Sequence, residues 1–306
     1  MSSVLALGEC MVELAPTGGG LYRRGFAGDT FNTAWYARRL LPADWSVAYA
    51  SCVGTDAVSR EMVDFMAAEG IDTAPIRRLP DRTVGLYMIA LAGGERSFSY
   101  WRGQSAARAL ADDPDWLDAA LSGRNFIHFS GISLAILRPD SRERLCDALA
   151  CARAAGARVV FDTNLRPRLW EDEDAMRAGL TLGASVADIV LPSFDEETAL
   201  FGDADPAATI ARYGGLGAGL VAVKQGAGPV VLWQAGGGAT TLTPAPVPRV
   251  VDTTAAGDSF AAGLIAGLAQ AQSPREAAAA AMALAGRVIR APGALVRGAI
   301  EGGAAR

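Results

Sequence analysis

A short segment of small and acidic residues carries the clearest chemical signal in this sequence. Residues 250–268 read VVDTTAAGDSFAAGLIAGL, a small-residue turn that continues into an apolar helix. Small side chains allow an anion to approach the backbone N–H groups that lack partners at a helix start. Asp258, in the first turn, would lie beside such an anion and could accept a proton from an attacking hydroxyl. This pattern suits phosphoryl transfer, although Asp258 could equally serve only to complement the helix dipole.

The rarest side chains limit the chemistry further. Of the 28 basic side chains, 27 are arginines, and Lys224 and His128 are the single lysine and histidine. A Walker-type phosphate loop needs the pattern GxxxxGK[ST], which the segment VAVKQGAG does not contain. One histidine rules out a zinc site of several histidines, and we expect His128 to be a core residue of an apolar strand. A carboxylate is therefore the expected proton carrier at neutral pH.

Composition and charge also limit the partners and the location. The chain has 28 basic and 33 acidic side chains among 306 residues, a formal charge of −5. An acidic chain with dispersed arginines is a poor nucleic-acid binder, so an anionic ligand must be held by a local cluster. Charges or glycines interrupt every apolar stretch well before the length of a membrane span. The start, MSSVLALGEC, lacks a secretory signal core, so we predict a cytoplasmic protein.

The elements that must position these residues can be recognised from their periodicity. Short apolar runs alternate with helical stretches, which predicts an α/β fold, a doubly wound and mainly parallel sheet flanked by helices. Two stretches break the alternation, at about residues 10–26 and 83–101, and the second turns at Gly93 and Gly94. We expect a single domain over residues 1–306 in which these strands form a small β-sheet lid. The lid would cover the carboxyl ends of the main strands, where open α/β sheets bind ligands.

Two signatures give the sequence a family resemblance. DTTAAGDSFAAG resembles the C-terminal signature of the ribokinase-like (PfkB) sugar kinases, and residues 27–40, AGDTFNTAWYARRL, resemble their N-terminal signature. The resemblance implies a ribokinase-like fold, with Asp258 as the catalytic base. It also implies that the amides of Ala255, Ala256 and Gly257 hold the γ-phosphate of ATP. Ala255 stands where relatives usually have glycine, a change that is tolerable if the backbone there is not left-handed, and we expect no loss of activity.

The substrate-facing segments are similar to one branch of the family, the 2-keto-3-deoxygluconate kinases. The similarity is carried by GDTFN, TVGLYMI, SYWR, HFSGISLAIL and DTNLRPRLW. A sugar acid presents a carboxylate, which an arginine can bind bidentately. Arg102 and Arg166 lie in segments expected at the ligand mouth, although a surface position is the default for either one alone.

The resemblance assigns five further residues to the sugar. They are Gly28, Asp29, Asn32, Tyr87 and Tyr100. Asp29 is equally explained as a helix N-cap, and the two tyrosines by packing within the lid. Asn32, in the first helical turn, is expected to project toward the same cleft.

A glycine-rich turn provides the nucleotide side. Residues 224–229, KQGAGP, follow a predicted strand and resemble the family's K-x-G segment. Lys224, Gly226 and Gly228 are therefore assigned to the phosphates or the ribose of ATP. A strand-end lysine that only reaches into solvent is the alternative.

Three more residues are assigned near the transferred phosphate and the metal. Asn164 resembles a position beside that phosphate. The family's N-x-x-E motif reads Ser193-Phe-Asp-Glu196 here, which places Ser193 at the nucleotide and lets Glu196 act on Mg²⁺ through a water molecule. The same pair also predicts a capping box at a helix start. Mg²⁺ is implied by ATP chemistry, and some relatives also use a monovalent cation near the segment that begins at Asp252.

The implied function is ATP-dependent phosphorylation of a small-molecule sugar acid, and two alternatives stay open. One is a family kinase for a neutral sugar, such as fructose or ribose, or for a nucleoside. The other is a catalytically silent sugar or nucleotide sensor on the same fold. A dehydrogenase is disfavoured because GGLGAG, residues 214–219, precedes a strand instead of following one. Exposed lid edges predict a homo-oligomer that pairs through the lid.

Overall fold

The strands of this protein divide into two sheets. The computed structural model describes residues 2–92 and 95–301, so the predicted turn at Gly93 and Gly94 lies outside the described residues. The strands, in chain order, are β1 (Ser3–Leu7), β2 (Met11–Gly18), β3 (Leu21–Ala27), β4 (Ser46–Val53), β5 (Ile76–Arg78), β6 (Leu86–Ala92), β7 (Glu95–Trp101), β8 (Phe126–Ser130), β9 (Arg158–Asp162), β10 (Ile189–Leu191), β11 (Leu220–Lys224), β12 (Val230–Gln234) and β13 (Gly238–Leu242).

Helices connect most of the strands and cover both faces of the larger sheet. They are α1 (Asp29–Leu40), α2 (Ala57–Ala68), α3 (Pro114–Leu121), α4 (Gly131–Ala135), α5 (Pro139–Ala154), α6 (Glu173–Ser185), α7 (Phe194–Phe201), α8 (Pro206–Gly215), α9 (Ala256–Ala269), α10 (Pro274–Val288) and α11 (Gly298–Glu301). Proline opens α3, α5, α8 and α10, where its missing N–H costs no helical hydrogen bond. Throughout the described ranges, each helix is too short or too polar to traverse a lipid bilayer.

The larger sheet has the order β13-β12-β11-β10-β9-β8-β1-β4-β5. The strands from β11 to β5 run parallel, and β12 and β13 add an antiparallel hairpin at one edge. Every residue of β1 and β8 is buried, including His128, because helices cover both faces. This arrangement explains the continuous apolar runs in the sequence, and it confirms the predicted fold class.

The smaller sheet has the order β3-β2-β6-β7. Its two hairpins join through the parallel pair β2 and β6, and Tyr87 lies opposite Tyr100 in the register of β6 and β7. The strands that interrupt the α/β alternation thus form a separate sheet beside the main one. That this sheet moves as a lid, and that the whole chain is one domain, stay predictions.

Helix α9 is buried along almost its whole length and packs on α10 and α1. Two of its glycines permit this packing. A Cβ atom on Gly263 would lie 2.7 Å from the Ala281 Cα, and one on Gly267 would lie 2.6 Å from the Ala277 Cβ. Both distances are too short for real contacts, so the backbones of α9 and α10 approach closely only because these residues are glycines. The packing fixes where the first turn of α9 lies.

Candidate active site

Asp258 lies in the first turn of α9 and contacts the start of α1. Its Oδ2 atom accepts a hydrogen bond from Asn32 Nδ2 at 2.7 Å, and its carbonyl oxygen accepts one from Thr33 Oγ1 at 3.2 Å. Asn32 and Asp258 belong to different sequence signatures and are 226 positions apart in the chain. The two signatures therefore meet at this carboxylate. The Asn32 side chain is buried and cannot turn away to solvent, so it fixes the orientation of the Asp258 carboxylate.

Asp29 and Asn164 lie next to this pair. Asp29 Oδ2 accepts hydrogen bonds from Asn164 Nδ2 at 2.9 Å and from Ser130 Oγ at 2.5 Å. Asp29 is the first residue of α1, and Gly28 occupies the N-cap position, so the predicted N-cap role of Asp29 is wrong by one residue. Its carboxylate instead ties α1 to the carboxyl end of β8 and to the loop after β9. Asp29, which was predicted to bind the sugar, and Asn164, which was predicted to lie beside the transferred phosphate, are thus direct neighbours.

An ion pair closes the other side of the site. Lys224 ends β11 and Asp162 ends β9, and their Nζ and Oδ1 atoms are 2.9 Å apart, with side chains 14% and 6% exposed. Lys224 therefore does not reach into solvent. We use the name edge cluster for the charged and amide side chains that converge at this edge of the sheet. They are Asp29, Asn32, Asp162, Lys224 and Asp258.

Gly257 faces the edge cluster without crowding. A Cβ atom on it would lie 3.7 Å from Lys224 Nζ and 3.8 Å from Asp162 Oδ2, which are ordinary contact distances. Packing therefore does not require a glycine here, in contrast to Gly263 and Gly267. A glycine that packing does not explain, at a helix start beside an ammonium, lets a ligand reach the backbone amide.

The surroundings of Asp258 disfavour its charged form. Burial raises its pKa well above the ordinary carboxyl value, and the negative charges of Asp29 and then Asp162 raise it further. The hydrogen bond from Asn32 and the charge of Lys224 act in the opposite direction. A carboxylate whose pKa is raised is a stronger base, once ionised, than an ordinary aspartate.

The backbone before α9 departs from the expectation. Ala255 is the N-cap of α9 and adopts a left-handed conformation, with φ 61° and ψ 16°. An alanine was expected to be tolerated here only if the backbone was not left-handed. The backbone is left-handed, and a Cβ atom is strained in that conformation. The Ala256 amide donates to the Thr253 carbonyl at 3.2 Å, which leaves the amides of residues 255 and 257 as the better placed donors to an anion.

Arg102 is buried at the junction of the two sheets. It forms an ion pair with Glu9, and the two side chains are 8% and 1% exposed. Tyr87 on β6 donates a hydrogen bond to Glu13, and burial followed by the charge of Glu13 raises the pKa of Tyr87. Tyr100, by contrast, is half exposed, and its ring lies 6.0 Å from that of Tyr87. Arg102 is thus positioned from both sheets, and its charge is balanced within the protein.

Arg166 also pairs with a glutamate. Its Nη1 lies 3.2 Å from Glu196 Oε1, and Glu196 Oε2 accepts a hydrogen bond from the Leu165 amide at 3.1 Å. The predicted capping box is therefore wrong. Ser193 occupies the N-cap of α7, but its side chain makes no capping bond. The Glu196 carboxylate, which would complete the box, is bound instead to the loop after β9. Burial raises the pKa of Glu196, and Arg166 opposes this effect.

The predicted site also includes three glycines, which are Gly28, Gly226 and Gly228. A Cβ atom on Gly28 would lie 2.2 Å from the Glu9 carbonyl oxygen, so packing alone requires a glycine there. Gly226 has a positive φ of 56°, and the Gly228 amide closes the turn by donating to Gln225 O at 2.8 Å. The predicted glycine-rich turn is therefore present, and Lys224 joins it to the edge cluster. Among the described residues, no hydrogen bond runs from residues 225–229 to that cluster.

The described residues contain no group of three or more histidine, cysteine, aspartate or glutamate side chains arranged to hold a metal ion. The Glu196 side chain, assigned to Mg²⁺ by the resemblance, is 32% exposed.

Sequence reasoning missed four residues that position the site. They are Glu9, Glu13, Ser130 and Asp162. Glu9, Ser130 and Asp162 each follow or end a buried parallel strand, and polar residues at such ends are the available sequence signal. Which partner each one takes depends on strand order, which the sequence does not display.

The chain is similar to known proteins over nearly its whole length. A family model described as pfkB family carbohydrate kinase matches residues 1–297. A protein of Escherichia coli (strain K12) named 2-dehydro-3-deoxygluconokinase is 38% identical over 305 residues, which cover 96% of each chain.

Solved structures show the same fold. The PfkB protein from Polaromonas sp. JS666 superposes with a TM-score of 0.85 at 29% identity, covering 100% of both chains. The fructokinase from Xylella fastidiosa, solved with bound ATP, superposes with a TM-score of 0.82 at 27% identity, covering 96% of this chain and 94% of that one.

Proposed function

We infer the reaction from the premise that this chain belongs to the pfkB family of carbohydrate kinases. We propose that it transfers the γ-phosphoryl group of ATP to the terminal hydroxyl of 2-keto-3-deoxygluconate. The relative named 2-dehydro-3-deoxygluconokinase supports this substrate through 38% identity over 96% of both chains.

The observation that carries the proposal is the open face of Gly257. Lys224 Nζ and Asp162 Oδ2 lie at contact distance from a Cβ on this residue, and Asp258 follows it in the chain. An anion seated there would meet a helix N-terminus and an ammonium on one side and a carboxylate base on the other. These are the components that phosphoryl transfer needs from a protein.

Asp258 would act as the general base. Asn32 holds its carboxylate through the 2.7 Å hydrogen bond, and the raised pKa strengthens it as a proton acceptor. The substrate hydroxyl would lose its proton to Asp258 as its oxygen bonds to the γ-phosphorus. The amides at residues 255 and 257 would stabilise the charge on the phosphoryl oxygens. Asn164 and Asp29, hydrogen-bonded to each other, would line the space between sugar and phosphate.

Mg²⁺ bound with ATP would neutralise part of the phosphate charge. Glu196 would reach that ion through a water molecule, with Ser193 beside Lys224 on the nucleotide side. A monovalent cation near Asp252 stays a prediction. The Asp252 carboxylate accepts hydrogen bonds from the Thr254 and Gly293 amides, so it also ties two loops together. Comparing activity in potassium and tetramethylammonium salts tests the cation.

Arg102 and Arg166 would bind the carboxylate of the sugar acid. Each already has a glutamate partner, so a substrate carboxylate would share the guanidinium with Glu9 or Glu196. Because Arg166 is half exposed, it can move toward a ligand more easily than the buried Arg102. Tyr87 and Tyr100 would flank the sugar from the smaller sheet.

A substrate panel tests the proposed function. Purified protein is assayed for ADP release with 2-keto-3-deoxygluconate, its galactonate-derived epimer, gluconate, fructose, ribose and adenosine. We expect a preference in kcat/KM of at least about 100-fold for a keto-deoxy sugar acid over neutral sugars. A preference for fructose, ribose or adenosine would show a neutral-substrate kinase instead. ADP release with none of them, combined with measurable sugar binding, would favour the sensor.

The arginine assignment needs a variant that leaves no unpaired charge. Arg102→Met alone would strand a buried Glu9 carboxylate, so it is combined with Glu9→Gln. We expect this double variant to raise KM for the sugar acid by about 10- to 100-fold. Glu9→Gln alone is the matched control, since it keeps the guanidinium. Equal KM values for the double variant and the control would refute the role of Arg102.

We also propose that copies of the chain pair through the smaller sheet. Large apolar side chains on its strands are 41–70% exposed. They are Leu21, Tyr22, Phe98, Tyr100 and Trp101. Analytical ultracentrifugation should show a dimer or larger oligomer that Leu21→Glu with Trp101→Glu converts to monomer. A monomeric parent protein would refute the pairing. A cytoplasmic location likewise stays a prediction.

A further inference from the structure

We propose that Lys224 is a catalytic residue that contacts the phosphoryl group in transfer, and that Asp162 is a positioning residue that holds its ammonium there. The proposal rests on the proposed kinase function. The sequence predicted that Lys224, as part of the glycine-rich turn of residues 224–229, binds the phosphates or the ribose of ATP. The proposal gives Lys224 a role in the transfer step instead.

The topology brings the two side chains together. Lys224 and Asp162 end β11 and β9, which run parallel on either side of β10. The Lys224 amide donates to the Pro192 carbonyl at 2.8 Å, which fixes its backbone directly after β10. The ion pair therefore spans the end of β10, with a separation of 2.9 Å and little exposure of either side chain.

The pair points to the reaction centre and not to the glycine-rich turn. Both Lys224 Nζ and Asp162 Oδ2 lie within 3.8 Å of a Cβ position on Gly257, the residue before the proposed base. The turn itself is closed by its own backbone bond and by a bond from Gln225 Nε2 to the Pro229 carbonyl at 3.0 Å. The ammonium thus lies where a phosphoryl group would meet Asp258.

The charge balance of the edge cluster supports this role. It contains three carboxylates, Asp29, Asp162 and Asp258, and one cation, Lys224. Arg102 and Arg166 are paired with glutamates outside it. Without Lys224, the edge cluster would present three carboxylates and no cation to the incoming phosphate, an arrangement that opposes binding at the moment of transfer.

The step is balanced without any further reactant. The substrate oxygen forms a bond to the γ-phosphorus while the bond from that phosphorus to the bridging oxygen breaks, and its electron pair leaves with ADP. The hydroxyl proton passes to Asp258. Lys224 keeps its proton and donates hydrogen bonds to non-bridging oxygens of the transferred group. Asp162 keeps the ammonium oriented before and after the step.

Lys224→Met tests the catalytic role by separating two affinities. ADP lacks the transferred group, whereas ADP with aluminium fluoride and sugar imitates it. Calorimetry should show ADP affinity within about twofold of the parent protein, but loss of the extra affinity for the aluminium fluoride complex. We expect kcat to fall by about 100- to 1,000-fold, the usual cost of losing one donor to a developing charge. Lys224→Arg should retain more of both properties.

The opposite pattern would overturn the proposal. If Lys224→Met weakens ADP binding tenfold or more (on the order of 1.4 kcal/mol) while kcat stays within about threefold, then Lys224 is a nucleotide-binding residue. Arg153→Met is the matched control. Arg153 pairs with Asp188 at 2.8 Å at the amino end of the same strands, so it removes a comparable ion pair away from the site.

The pH profile of kcat/KM tests Asp162 independently. The charged or ionisable groups that face Asp258 are Asp29 and Tyr36 from α1, Asp162 after β9 and Lys224 after β11. Because Asp162 raises the pKa of Asp258 and Lys224 lowers it, Asp162→Asn should move the acid limb to lower pH. Lys224→Met should move it to higher pH. Unchanged limbs in both variants, with only a lower melting temperature, would leave Asp162 a structural residue and refute its role.

These tests separate the two proposals. If the parent protein phosphorylates fructose or ribose instead of a sugar acid, the proposed substrate fails, and the Lys224 measurements are made with that sugar. If the parent protein phosphorylates 2-keto-3-deoxygluconate and Lys224→Met retains full kcat, the substrate stands and the role of Lys224 fails.

Discussion

The edge cluster and a second buried charged group on α7 and α8 use similar side chains in different ways. In the second group, which we name the helix cluster, Arg212 bridges Glu197 and Asp203. Tyr213 Oη donates to Glu197 and Thr209 Oγ1 donates to Asp203, each at 2.8 Å. Each carboxylate of the helix cluster thus has a charged partner and a hydroxyl donor.

Among the residues that the structure describes, Asp258 in the edge cluster has neither an ion-pair partner nor a hydroxyl donor to its carboxylate. The side-chain bond described for its carboxylate comes from the neutral amide of Asn32, and two further carboxylates raise its pKa. Burying charge is unfavourable unless it is paired and hydrogen-bonded, a condition that the carboxylates of the helix cluster meet and that Asp258 does not. The difference teaches that pairing, not burial, separates a structural charge from one that remains available to a ligand.

The largest effect should come from removing the unpaired carboxylate. Asp258→Asn keeps the shape and the contact with Asn32 but cannot accept the proton, so kcat should fall by about 1,000- to 10,000-fold. Sugar affinity measured by calorimetry should stay near that of the parent protein. Asp203→Asn in the helix cluster is the control, with kcat expected within about threefold. Turnover of Asp258→Asn within tenfold (about 1.4 kcal/mol) of the parent protein would contradict its role as base.

Substitutions in the helix cluster should lower the stability of the protein, whereas substitutions in the edge cluster should lower its activity. Arg212→Met leaves two buried carboxylates without their cation, and we expect it to lower the free energy of unfolding by about 3–5 kcal/mol. Arg138→Met is the comparison, because Arg138 is 62% exposed and lies 3.5 Å from its acidic partners, so it should cost less than about 0.5 kcal/mol. Equal urea midpoints for the two variants would remove the contrast.

The raised pKa of Asp258 predicts that the active site lowers the free energy of unfolding by an amount that depends on pH. Folding disfavours its ionised form, so the parent protein loses stability as pH rises from the ordinary carboxyl range through the raised pKa. Asp258→Asn does not ionise and should therefore become increasingly more stable than the parent protein with rising pH. Urea unfolding from about pH 4 to about pH 8 measures the difference. A constant difference across this range would mean that the carboxyl is not perturbed.

The smallest effect concerns the strained start of α9. Ala255→Gly relieves a left-handed alanine, a gain of about 1 kcal/mol that the greater freedom of glycine in the unfolded chain partly offsets. We expect a slightly higher melting temperature and unchanged kcat. Ala271→Gly, at a second left-handed alanine after α9, is the matched control for stability away from the site. A fall in kcat for Ala255→Gly alone would show that the strain itself positions the amides.

Much of the fold followed from the sequence because it depends on local patterns. Continuous apolar runs between helical stretches predicted the parallel sheet, and the two stretches that interrupted this pattern predicted strands that form a second sheet. The helix start at Asp258 was recognisable from the small residues before it. The capping box at Ser193 was wrong because a distant backbone amide, that of Leu165, competes for the Glu196 carboxylate.

The sequence by itself determined which side chains were available: one lysine, one histidine, and acidic and amide residues in two signatures. The tertiary structure alone decided that Asp162 faces Lys224, that Glu9 faces Arg102, and that Ala255 is left-handed. Pairing across β9, β10 and β11 depends on strand order, and the energy of a charge depends on what surrounds it in space. Strand order and the surroundings of a charge both depend on residues that are distant in the chain. Composition and spacing could therefore predict which charged residues are present but not which residues they pair with.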